Sequence, residues 1–180
     1  CAGGADINIT FKYKEVEVPE GDVAVKLTLR GLRGGHSGTE IHLGRANANK
    51  LMFRFLKEAV REYEARLSSI EGGSLRNAIP REAFAVITVP AEGVEELMNL
   101  VDEFEDMYKA EFGDIEPDLS FKAEKTDSPK TLLPEEIQDN LINAIEGCPN
   151  GVSSMLTDFP GIVETSVNLA LVKSSSETTE

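Results

Sequence analysis

Between residues 22 and 127 the spacing of apolar side chains switches from every second position to every third or fourth and back, and then does so again. Few folds accept that order. The stretch "DVAVKLTLRG" alternates, with Val23, Val25, Leu27 and Leu29 on one face and Ala24, Lys26, Thr28 and Arg30 on the other, the period of a half-buried strand. Next, "ANANKLMFRFLKEAVREYEARL" sets Met52, Phe55, Leu56, Ala59, Val60 and Tyr63 at helical spacing, with charges on the remaining positions. A strand in "ARLSSIEGG", a break at Gly72 and Gly73, and a second strand from about Arg81 to Val89 follow. That second strand is apolar on both faces, as a central strand is. In "GVEELMNLVDEFEDMYKAEFG" the residues Val94, Leu97, Met98, Val101, Phe104 and Tyr108 line one side of a helix that Gly113 is placed to end. A last strand, "DLSFKAEK", turns Leu119, Phe121 and Ala123 inward.

Strand, helix, strand, strand, helix, strand, joined by right-handed crossovers, predicts an α+β fold of the ferredoxin-like βαββαβ type: an antiparallel four-stranded sheet with both helices on one face. The flanks extend it. A leading strand is expected where Ile7, Ile9, Phe11 and Tyr13 alternate, a third helix in "PEEIQDNLINAIEGC" with Pro134 at its start and Gly147 past its end, and a trailing strand in "GIVETSVNLALVK". The core then spans about residues 22 to 127 and the C-terminal extension 128 to 180, whose serine-rich end reads as a frayed or truncated terminus.

A chain of 180 residues with 41% apolar composition can bury a real core. Its 32 acidic against 18 basic residues give a net charge of -14, which repels phosphate backbones and anionic lipid, so neither nucleic acid nor a membrane is an expected partner. No apolar run reaches the length of a membrane span, and "CAGGADINIT" lacks the charged and apolar regions of a signal peptide, so cytoplasmic residence is expected. Cys1 and Cys148 form no metal or disulfide spacing and read as incidental thiols. The start at a cysteine points to a piece of a longer protein.

Both histidines of the chain, five glycines and three arginines fall within "RGLRGGHSGTEIHLGR", residues 30 to 45. In the predicted fold the first and third strands are neighbours. The segment leaving the first, "RGGHSGTE", therefore lies beside the segment entering the third, "GSLRNAIPR", and topology gathers His36, Ser37, Arg76, Asn77 and Arg81 at one tip. Such a tip can donate hydrogen bonds to a carbonyl or an oxyanion and grip a carboxylate. No metal site is expected: five residues separate His36 from His42, unlike a helical zinc pair, and no cluster of histidines and carboxylates accompanies them. Ser37 directly follows His36 and is badly placed to hand it a proton, so no nucleophilic triad is expected either. Turn chemistry alone also accounts for glycines before a helix and for an asparagine before a proline. The acidic runs "DEFED" and "EEIQDN" read as solvated helix faces.

Taken in order on this strand and helix pattern, "GLRGGHSGTEIHLGRANANKL" and "NAIPREA" closely resemble the inserted lid and dimerisation domain of aminoacyl-histidine dipeptidases, or Xaa-His dipeptidases. These are zinc-dependent exopeptidases, related to carboxypeptidase G and the carnosinases. "CAGG" looks like the end of the link from the metal-binding domain, so that residues 1 to 4 close that link and 5 to 180 form the lid; "GIVETSVNLA" resembles a later segment of the same insertion, without individual roles for Glu164, Thr165, Ser166 or Asn168. The resemblance implies a homodimeric enzyme with two zinc ions held by its own catalytic domain outside this chain, and a dipeptide substrate. It implies that His36 stabilises the tetrahedral oxyanion, commonly in the partner subunit's active site, and that Asn77 contacts substrate. The family's carboxylate-binding arginine falls beyond Glu180, so Arg76 and Arg81 inherit no such role. It further implies that dimerisation runs through lid helices and edge strands, including residues near 45 to 60, and that the chain by itself is inactive. A different class remains open: a non-catalytic ferredoxin-like regulatory module that binds a small amino acid or peptide through the glycine-rich tip.

Overall fold

The alternating stretch after Gly21 forms strand β1 (Asp22–Arg30), with Val25, Leu27 and Leu29 buried on one face and Lys26 exposed on the other. In the computed structural model, which describes residues 3–174, the elements that follow are β2 (Gly35–His36), α1 (Ala48–Tyr63), β3 (Arg66–Gly72), β4 (Ala78–Ile79), β5 (Ala83–Pro90), α2 (Val94–Phe112), β6 (Ser120–Lys125), α3 (Glu135–Gly147), β7 (Gly151–Met155), β8 (Val163–Val167) and β9 (Val172–Lys173). The main sheet runs β6-β1-β5-β3-β9, and every pairing in it is antiparallel. Without β9 this is the ferredoxin-like order expected from the sequence, with β5 central.

The helical spacing at 52 to 63 becomes the apolar side of α1, where Met52, Phe55, Leu56 and Ala59 are buried with Val25, Leu27, Leu97, Val101 and Phe121 in one cluster. Phe55 meets Phe104 and Phe121 edge-on, at 5.3 and 4.9 Å between ring centres, so sheet and helices are locked through aromatic contacts as well as area. Asn47 caps α1: its Oδ1 accepts the N–H groups of Asn49 and Lys50. Its Nδ2 donates to Asn150 Oδ1 and to the Leu169 carbonyl, tying the base of the β7–β8 hairpin to the start of α1. Lys50 donates to the carbonyls of Ile145, Glu146 and Cys148 at the C-terminal end of α3, and so fixes α3 against α1. In consequence Lys57 is the one exposed residue between 45 and 60. That stretch, expected at a dimer surface, is largely covered by the chain's own helices and sheet.

The leading strand does not form. Ile7 is 87% and Ile9 73% exposed, and in this segment Val16 alone makes a bridge, to Leu132. Alternation gives a segment the faces of a strand but no edge to pair with, and β9 occupies the edge beside β3. Polar links hold the segment instead: Asp6 pairs with Arg76 at 2.6 Å, and Thr131 Oγ1 donates to Glu15. The trailing strand is split into β8, paired with β7, and β9, paired with β3. Between them Asn168 Nδ2 donates to the Ala78 carbonyl and the Leu169 N–H to Asn150 Oδ1, bonds that turn the chain out of one sheet and into the other. The serine-rich tail from 175 onward and Cys1 lie outside the described residues.

On α2 the nearly buried Glu105 accepts from Lys109 and Lys122. Burial opposes its ionisation, but the hydrogen bonds from Lys109 and Lys122 outweigh burial and hold the carboxyl below the usual carboxylate range. A depressed folded value stabilises fully above the unfolded value of 4.5 and is lost as pH falls through the folded one. Glu105→Gln is therefore expected to lower the urea midpoint at neutral pH and to converge with wild type in acid. A gap that stays constant down to about pH 3 contradicts this account.

Candidate functional site at the tip of the first and third core strands

Where β1 ends, the chain bends through Gly34 and Gly35 at φ +61° and +139°, backbone that side-chain-bearing residues avoid. Space is as restrictive as conformation. A Cβ on Gly34 would lie 2.8 Å from the Ile79 carbonyl oxygen, and one on Gly35 would displace the Arg45 guanidinium. The absence of side chains lets β2 close on β4, with Gly35 opposite Ile79 and His36 opposite Ala78. One step further the Ser37 N–H donates to the Asn77 carbonyl at 3.0 Å. His36 and Asn77 are thus neighbours on one short ribbon, and both are exposed.

The imidazole is oriented by its own loop. His36 Nδ1 accepts hydrogen bonds from the N–H groups of Gly38 at 3.0 Å and Thr39 at 3.2 Å. An Nδ1 that accepts leaves the ring proton on Nε2, so the tip offers Nε2–H as a donor to something outside the loop. The Asn77 carboxamide makes no hydrogen bond among the described residues and is equally available.

Three acidic and basic side chains set this geometry. Glu40 Oε2 accepts the His36 N–H at 2.8 Å, its Oε1 pairs with Arg45 at 3.0 Å, and Arg45 donates in turn to the Gly34 carbonyl. The His36 N–H foremost, with help from Arg45, holds the Glu40 carboxyl below the usual range. Glu116, fully buried, accepts from Arg33 N at 2.7 Å with one oxygen and from Ala46 N at 3.0 Å with the other. It clasps both ends of the loop that carries His36.

Of the residues that topology was expected to gather, His36, Ser37 and Asn77 meet on the ribbon, and the Arg81 stem lies over Gly34. Arg76 is turned to Asp6, and His42 sits exposed in the turn Ile41–Leu43. Sequence reasoning missed Glu40, Arg45 and Glu116 as parts of the site. A glutamate four residues after His36 was the available signal for the first; nothing local marks Glu116, which lies 83 positions from one of its partners. Among the described residues no group of three or more histidine, cysteine or carboxylate side chains converges to hold a metal ion.

Residues 27–116, from β1 to the buried glutamate, match the peptidase dimerisation domain of the M20 peptidases. The chain belongs to that family. This dimerisation domain is 41% identical over all 180 residues to the cytosol non-specific dipeptidase of Escherichia coli K12 and spans 37% of that protein. It also matches the crystal structure of aminoacylhistidine dipeptidase from Vibrio alginolyticus, with a TM-score of 0.89 and 41% identity over 92% of this chain and 34% of that one. The dimerisation domain therefore corresponds to a little over a third of these relatives. No helix among its described residues is long and apolar enough to cross a membrane.

Proposed function

We propose that the chain is the lid and dimerisation part of a cytoplasmic, homodimeric dipeptidase acting on Xaa-His dipeptides, and that it lends His36 and Asn77 to an active site built by the rest of the polypeptide. On this reading residues 1 to 4 end the link from the catalytic domain and the remainder is lid. The observation that carries it is the tip closed by the β2–β4 ribbon, where the backbones of His36 and Asn77 are brought close, His36 opposite Ala78 and Asn77 bonded to Ser37, and where an exposed imidazole has its Nδ1 already bonded. When water adds to a peptide carbonyl, the carbonyl oxygen gains negative charge. A preset Nε2–H aimed at that oxygen binds the tetrahedral state more tightly than the planar substrate, and such a donor is typically worth about 2.7 to 4 kcal/mol of barrier. Asn77 would bind the substrate's polar backbone in both states and so act mainly on KM.

The two zinc ions of this reading would supply Lewis-acid chemistry, and the described residues of this chain do not fit them. Their ligands belong to the catalytic domain. Hydrolysis by the intact polypeptide, compared with the 180-residue chain, tests the proposal. The intact protein should cleave Xaa-His dipeptides; the chain by itself should cleave none and show no tight binding of dipeptide or zinc by calorimetry. A tight one-to-one complex of the isolated chain with an amino acid or dipeptide would favour a regulatory module instead.

A further inference from the structure

We propose that Glu40 and Arg45 are positioning residues that keep the His36 imidazole poised as an Nε2–H donor, a role that rests on reading His36 as the oxyanion donor. Neither side chain is bonded to the ring. They act on the backbone that leads into it: Arg45 holds the Gly34 carbonyl, Glu40 holds the His36 N–H, and the two are joined to each other at 3.0 Å. The Glu40 N–H donates back to the His36 carbonyl at 2.9 Å, which closes the ring of bonds around residues 34 to 40. That closed loop is what brings the Gly38 and Thr39 N–H groups onto Nδ1.

The tautomer follows from the loop's shape. If the brace opens, Nδ1 loses its two donors, the ring turns more freely, and the proton is no longer confined to Nε2. Gly35 fits this arrangement: the guanidinium and carboxyl lie where its Cβ would be, so the pair packs directly on the backbone it restrains. Stability is not the purpose. The Arg45 and Glu40 side chains are 18% and 38% exposed, and an ion pair with one partner this open to water adds only modestly to folding. A pair that contributes little to the fold yet holds the backbone leading into the ring is suited to geometry, and a variant lacking it should still fold.

The test uses the full-length enzyme and kcat and KM for an Xaa-His dipeptide, with Glu40→Ala and Glu40→Gln made in the wild type and Glu40→Ala also in His36→Ala. Glu40→Ala should lower kcat about tenfold with KM nearly unchanged, the scale of a modest misplacement of a catalytic group. Glu40→Gln should recover most of that loss, because its amide oxygen can still accept the His36 N–H. In the His36→Ala background Glu40→Ala should cost nothing more, since its effect passes through the imidazole. A wild-type kcat in Glu40→Ala beside an impaired His36→Ala overturns the positioning role alone, as does a loss that multiplies with that of His36→Ala. Wild-type turnover in His36→Ala overturns the oxyanion reading and the brace together.

Discussion

Replacing His36 with alanine in the intact enzyme is expected to lower kcat by about two to three orders of magnitude while metal content stays unchanged. On the proposed reading, the size follows from losing one preorganised donor to the developing oxyanion. The selectivity follows from where the residue sits: its ring hydrogen bonds among the described residues are to the backbone of Gly38 and Thr39, and no metal-holding group forms around it there. KM should move less than kcat, because the donor matters most once charge has built on oxygen. Wild-type turnover in this variant removes His36 from the chemistry.

The second large effect is expected beneath the tip. Glu116→Ala removes the acceptor of two backbone donors, one at Arg33 and one at the buried Ala46. Leaving a buried donor unsatisfied costs about 1 to 3 kcal/mol, and relief from burying the carboxyl offsets part of the sum, so a loss of about 2 to 4 kcal/mol is expected. Because those donors stand at the two ends of the loop carrying His36, the damage should show locally first. Hydrogen exchange in peptides covering residues 33 to 46 should accelerate in the variant, and the thermal midpoint should fall. Glu116→Gln, which keeps one acceptor, should lie between. Unchanged exchange and midpoint in Glu116→Ala would mean that the clasp is incidental.

The part of the architecture legible in the residues was the part governed by periodicity. Val25, Leu27 and Leu29 announce β1 because one face of it is buried, and the spacing from Met52 to Tyr63 announces α1 for the same reason. The order of these elements was enough to bring together the two segments that carry residues 36 and 77. The flanks were less legible, because Ile7 and Ile9 alternate without a partner strand, and because the break after Val167 depends on Asn150 and Ala78, which are distant in sequence. The covering of α1 was equally hidden: Lys50 reads as a solvated helix residue until the carbonyls at the end of α3 are brought to it. At the tip, residue types indicated what can donate a hydrogen bond, but the tautomer of His36 and the bracing by Glu40 and Glu116 are products of the folded backbone.

The most direct test of the account is the crystal structure of the intact enzyme bound to a phosphinate analogue of an Xaa-His dipeptide, whose tetrahedral oxygens mimic the hydrated peptide. His36 Nε2, from the same protomer or its partner, should lie about 2.7 to 3.1 Å from a phosphinyl oxygen, with the Asn77 carboxamide on the inhibitor. An inhibitor fully enclosed by other residues, with His36 and Asn77 remote from it in every protomer, would contradict it.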